Sequence, residues 1–176
     1  MTDNHKSTYK KVVVRRLDRG LIKGFVDPSG YLRGNDLEML DREGRAVIVP
    51  LAEIKAVFFV REFDGNPQRS ERKLFQSRPR MAGVWVQMIF KDNETLEGLL
   101  PSNLLELATE GYLLTPADLY SNNLKVFVPR TALTKLTVLG VIPDRHARRP
   151  SPKKGAPAVE TAASDRQIGL FPEPES

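Results

Sequence analysis

The chain has 176 residues, 40% hydrophobic and 28% charged, with a net charge of +5 and no cysteine. That is enough apolar material for one or two small packed domains. It excludes disulfides, thiol nucleophiles and thiolate metal sites, and its modest basic excess suits phosphate-rich partners or plain solubility alike.

The opening "MTDNHKSTYKK" carries no apolar segment behind its basic residues, and no later apolar run is long enough to cross a bilayer as a helix. A cytoplasmic protein with no membrane partner is therefore expected. In chain order, "VVVRRLDRGLIKGFV" (12–26) reads as two strands turning at Asp18-Arg19-Gly20. A second hairpin runs from "LEML" to "AVIV" around Asp41-Arg42-Glu43-Gly44. Pro50 and "LAEI" follow as one helical turn, and "KAVFFV" as a last strand.

A basic stretch, "RSERKLFQSRPRMAG" (69–83), separates this series from a second one. There "VQMIFKDNETLEGLL" (86–100) predicts a hairpin at Asp92, and "PSNLLELATEG" (101–111) a helix of two turns. That helix has Ser102 or Asn103 as cap, Leu104, Leu107 and Ala108 on one face, and Gly111 as stop. "YLL" and "LKVFV" form a further hairpin around Ser121-Asn122-Asn123, then Pro129 and "RTAL" make a turn before the strand "KLTVLGV". From Pro143 onward Pro, Ala, Ser and charged residues replace apolar periodicity, which predicts a disordered extension.

The two series are copies of one pattern. Setting Gly24 against Gly98 aligns Val12 with Val86, Val14 with Met88, Asp18 with Asp92 and Ile22 with Leu96. Val49-Pro50 then answers to Val128-Pro129 and Ile54 to Leu133, with five extra residues in the second copy. Five strands with a helical turn before the last outline a small SH3-like or Sm-like barrel. The expected fold is thus mainly β: a first small barrel over 8–63, a basic linker over 64–82, a second barrel with one short helix over 83–143, and a disordered tail over 144–176. A unit of about fifty residues buries too little surface to be robust alone. The copies should share an interface, or form a homo-oligomer through barrel edges.

Candidate chemistry is sparse. His5 and His146 both lie in the flanks, so no triad, zinc site or histidine base can be assembled in the folded part. Asp18 and Asp92 read as turn residues that accept backbone hydrogen bonds. "GLIKG" (20–24) lacks the Lys-Ser/Thr and helix of a phosphate loop. No catalytic, cofactor or metal residue is assigned, and a non-enzymatic protein is expected. Trp85 and "AVFFV" (56–60) read as core or interface.

On the residues quoted, strand alternation, the Asp-turn hairpins and the "VP" closing segments resemble Sm-like and Hfq-like small barrels. "VWVQMIFKDNETLEGLL" and "LLTPADLYSNNLKVFVPRTALTKLTVLGV" are similar to a bacterial family of unknown function, some of whose members accompany PilZ-type domains. The Sm-like resemblance implies RNA contacts from a loop such as Tyr120, Asn122 and Asn123, although the Arg-Gly pair of that family is missing. Arg69, Arg72, Lys73, Arg78 and Arg80 of the basic stretch are further candidates for nucleic-acid phosphates. A PilZ relation implies a cyclic dinucleotide on an RxxxR pattern. Arg15 and Arg19 fit that spacing, yet they also read as solvated charges at a strand end, and "DPSGYL" departs from the second PilZ motif.

The tail ends on an apolar exception, "RQIGLF" (166–171). Gln167, Ile168, Leu170 and Phe171 resemble the short peptide by which many bacterial proteins dock on the DNA polymerase sliding clamp, in which paired Leu-Phe side chains fill one apolar pocket and the Gln amide anchors the other end. The expected function is a cytoplasmic adaptor with a protein partner, the sliding clamp, on its tail. RNA binding by the barrels and PilZ-related nucleotide sensing are the alternatives.

Overall fold

A computed structural model describes residues 8–65 and 70–144. Alternation of buried and exposed positions, as in Val12 and Val14 inward between exposed or half-buried neighbours, sets the strands. The first half contains β1 (Lys10–Arg16), β2 (Leu21–Val26), β3 (Leu32–Arg33), β4 (Asp36–Asp41), β5 (Ala46–Pro50) and β6 (Ile54–Val60). The second contains β7 (Gly83–Phe90), β8 (Thr95–Leu100), β9 (Gly111–Pro116), β10 (Asn123–Pro129) and β11 (Leu133–Ile142). All pairings among the described residues are antiparallel. They form one open sheet in the order β11-β7-β8-β9-β10-β6-β1-β2-β4-β3, with β5 on the free side of β4.

Register shows the two halves to be the same structure twice. Val12 faces Gly24 as Val86 faces Gly98, and Leu37 faces Val49 as Tyr112 faces Val128. The last strand returns to the first in both, with a bulge at the same place: Ile54 faces Arg16 and Ala56 faces Arg15, as Leu133 faces Phe90 and Lys135 faces Ile89.

The turns repeat bond for bond. Arg16 N–H donates to Gly20 C=O at 2.8 Å and Phe90 N–H to Glu94 C=O at 2.9 Å. Arg19 and Asn93 both adopt positive φ, 72° and 62°. The Asp18 and Asp92 carboxylates accept the N–H of Gly20 and Glu94 at 2.8 and 3.1 Å, which is the turn role read from the sequence. Single 3-10 turns, Leu51–Glu53 and Arg130–Ala132, precede both last strands, each entered through a proline.

The halves are not separately closed. Their equivalent strand orders, β6-β1-β2-β4-β5 and β11-β7-β8-β9-β10, join edge to edge where β10 pairs with β6. Instead of two independent barrels, the described residues form a single continuous ladder over two cores. The first core gathers Val12, Val14, Val26, Leu37, Met39, Val49, Ile54, Val57 and Phe59, and the second Val86, Met88, Phe90, Leu100, Leu114, Val126 and Val128.

The two-turn helix expected over 101–111 is replaced by one 3-10 turn, Leu104–Glu106. Asn103 does cap this turn: its side-chain oxygen accepts the Leu105 N–H at 3.2 Å. Its backbone C=O accepts the Glu106 N–H at the three-residue 3-10 spacing, and the turn goes no further. Leu105 is left exposed, and Gly111 already belongs to β9.

Gly24 and Gly98 recur because β4 and β9 pass too close for a side chain. A Cβ on Gly24 would lie 2.1 Å from Leu40 O, and one on Gly98 2.4 Å from Leu114 Cδ1 and 2.9 Å from Thr115 O. Gly24→Ala and Gly98→Ala should each lower stability by about 1–3 kcal/mol in urea titrations; an unchanged midpoint for both would contradict this packing.

Candidate functional site

Polar chemistry concentrates on the seam between the halves. Lys55 is the bulged residue of β6, which re-aims its side chain across the seam. Although only 4% exposed, its ammonium donates to Asp92 and Glu94 on the β7–β8 turn and lies 4.9 Å from the centre of the Phe90 ring. Arg15 and Lys73 reach the same Glu94 carboxylate at 3.6 and 2.7 Å.

Lys55 hydrogen bonding holds the Asp92 carboxyl below its ordinary range. Burial alone would raise Glu94, but hydrogen bonds from Lys55 and Lys73 outweigh it and the net shift is downward. Beside this cluster Arg15, Arg16, Arg19 and Lys55 line a cleft of about 570 Å³ with Asp92 and Glu94, giving four cations to two carboxylates. Arg16 is tied back by Glu53 at 2.7 Å and Asp18 at 3.4 Å.

Further along the seam lies an open recess of about 820 Å³. Lys73, Tyr120, Asn122 and Asn123 line it together, with Arg61, Glu62, Asp64 and Glu71. Carboxylates outnumber cations there, an environment that attracts phosphate poorly.

Asn122 is a clasp. Its amide donates to Glu62 C=O at 2.7 Å and accepts Glu62 N–H at 3.0 Å, its own C=O accepts Arg61 N–H at 3.0 Å, and its N–H donates to Glu71 at 3.2 Å. Asn123 donates its side-chain amide to Glu71. Most of the second half's extra length falls here: Asp41 to Val49 corresponds to the longer Pro116 to Val128. The insertion fastens the end of β6.

The basic segment is also held down. Glu97 is buried and accepts Phe75 N–H at 3.1 Å, Trp85 Nε1–H at 3.2 Å and Gln87 Nε2–H at 3.3 Å, while Phe75 stacks edge-on against Trp85 at 6.0 Å. Arg72 donates to Gln76 at 3.0 Å, Arg78 to Val141 C=O at 3.4 Å, and Arg80 is exposed. Arg69, Gln167, Ile168, Leu170 and Phe171 lie outside the described residues.

Sequence reasoning missed Lys55, Glu94, Glu97 and Glu71, whose roles depend on partners from the other half or from the connecting segment. Among the described residues no three potential metal ligands come together, and no helix is long and apolar enough to cross a membrane.

A profile for a family of unknown function, DUF6982, matches residues 8–140, which spans both halves and the seam. The chain belongs to this family. No curated protein and no solved structure matches it significantly. The DUF6982 region thus coincides with the described body and stops before the tail motif.

Depressed carboxylates contribute stability that is fully present above their ordinary pKa of about 4 and is lost as pH falls through their lower folded values. Lys55→Met should cost about 2 kcal/mol near neutral pH, because Asp92 and Glu94 lose a buried charged donor. It should also flatten the loss of stability below about pH 4. Thermal melts across pH test this; an acid limb as steep as in the wild type would contradict the assignment.

Proposed function

We propose that the chain is a non-enzymatic adaptor: two sister units of the small SH3/Sm-like barrel kind, fused through one seam into a platform, followed by a tail that docks on a protein partner. The observation that carries the platform reading is the use of the seam's charged and amide groups for holding. Buried Lys55 is engaged with Asp92 and Glu94, and Asn122 with Glu62 and Glu71, so these polar groups hold the halves and the connecting segment together.

For the tail, the support is sequence. Gln167, Ile168, Leu170 and Phe171 keep the spacing of a sliding-clamp peptide and sit more than twenty residues beyond Asp144, far enough for a tether to let the motif reach a pocket while the body stays free. The cytoplasm is the compartment this partner implies.

A second reading rests on the cleft of Arg15, Arg16, Arg19 and Lys55, whose excess of cations suits a phosphate-bearing nucleotide and keeps the PilZ-type alternative in play. Titration of the full chain with a cyclic dinucleotide decides it. Saturable binding lost in Arg19→Ala supports sensing, and heat signals indistinguishable from buffer remove it.

The adaptor reading predicts that a peptide of residues 160–176 binds bacterial sliding clamp at about micromolar affinity with little dependence on salt. Phe171→Ala should weaken this at least tenfold. Absence of saturable binding, or binding indifferent to Phe171→Ala, would remove the clamp as partner.

A further inference from the structure

We propose that the protein assembles with further copies of itself head to tail, the outer edge of β5 in one chain pairing with the outer edge of β11 in the next. The inference rests on the sister-unit reading above and is independent of the tail motif.

The template is inside the chain. Leaving aside the two-residue β3, each half has a fourth strand, which ends on its proline, and a last strand. The seam uses the fourth strand of the second half, β10, and the last strand of the first, β6. Among the described residues, the edges left unpaired apart from the two-residue β3 are the complementary set: the fourth strand of the first half, β5, and the last strand of the second, β11. A chain that has joined one such pair covalently carries the two components of another at its ends.

Side chains on those edges fit the role. At the seam Phe127 is 0% exposed, Phe59 8% and Val60 6%. Register equivalence maps Phe127 onto Ile48 and Phe59 onto Val138, which are 64% and 57% exposed, and Val141 further along the same strand is 60% exposed. Large apolar residues thus stand in water at the positions that the internal seam buries, on the two edges left open. Isolated exposed apolar residues need no explanation, but this placement follows the pattern of an interface already formed.

The backbone is also available. Asp41 N–H donates to Arg45 C=O and Leu51 N–H to Asn35 C=O, so by antiparallel alternation Arg45, Val47, Val49 and Leu51 bond to β4, while Ala46 and Ile48 turn their N–H and C=O outward. Pro50 has no N–H to offer, yet the internal seam covers Asn123 to Phe127 and stops short of the equivalent Pro129. Transferred to the outer edges, the seam's register sets Ile48 against Leu136 of the next chain, Val47 against its Thr137, and Ala46 against its Val138.

Two differences set the strength. Lys135 and Thr137 on β11 stand where β6 has Ala56 and Phe58, so one face of the junction is polar. The contact between chains is consequently weaker than the seam, and reversible. Because the two edges differ, the contact is heterologous and adds chains until a ring closes or a filament grows.

Sedimentation velocity on the full chain, from low to high micromolar, should show mass rising above the monomer. Ile48→Glu and Val138→Glu, both at exposed positions and checked for unchanged circular dichroism, should each sediment as monomers. Each still has one intact edge of opposite kind, so their equimolar mixture should form dimers and nothing larger. Phe171→Ala should assemble like the wild type, which separates this result from any failure of the tail motif. A wild type that stays monomeric throughout, a single variant that dimerises alone, or a mixture that remains monomeric would each overturn the proposal.

Discussion

The pairing of β6 with β10 is the constraint on which the rest of the structure depends. Each strand supplies a residue to the other half's core: Phe127 of β10 belongs to the first, and Ala56 of β6 to the second, with Phe58 packed against it. Tyr31 locks the exchange by packing edge-on against both Phe59 and Phe127, at 5.5 and 5.8 Å. Burial, followed by the nearby Glu110 charge, pushes its hydroxyl up to about 12, so it stays neutral throughout the ordinary pH range. A half of this size has little apolar surface to bury by itself. Sharing two strands and exchanging core residues lets each half finish its core with the other.

Once the seam exists, the placement of charge follows. The bulge that admits Lys55 occurs in both halves, but in the second it carries Thr134, which donates to Ile89 C=O at 3.1 Å on its own side. A duplicated framework has therefore been specialised at one copy. Where a bulged residue faces the sister half it is a lysine satisfied by two carboxylates; at the outer edge it is a short hydroxyl. The longer β9–β10 connection is specialised likewise, since Asn122 and Asn123 hold Glu62 and Glu71 from segments the shorter β4–β5 turn could not reach.

Much of this architecture was legible in the sequence, because duplication leaves marks that local physics must repeat. Gly24 and Gly98 recur since any Cβ there meets a neighbouring strand, and Pro50 and Pro129 recur since both enter a 3-10 turn. The seam was not legible in advance. Phe127 and Ile48 occupy equivalent apolar positions, and only three-dimensional pairing decides that one is buried and the other exposed. Lys55 reads as an ordinary alternating polar residue until the bulge turns it inward. Asn122 and Asn123 carry the composition of a simple turn, while their partners lie some fifty or sixty residues away. Over 101–111 the cap at Asn103 was legible but the length was not: it starts a single 3-10 turn, and capping residues do not report how far a helix runs.

The two halves form one cooperative body held by the seam, and hydrogen exchange in the native state probes this most directly. Peptides covering 54–60 and 123–129 should exchange only through global unfolding, at the slowest rates in the molecule and with the same denaturant dependence as β1 and β7. Faster exchange of both seam peptides, with each half retaining its own protection, would mean that the halves separate while folded and would contradict the account.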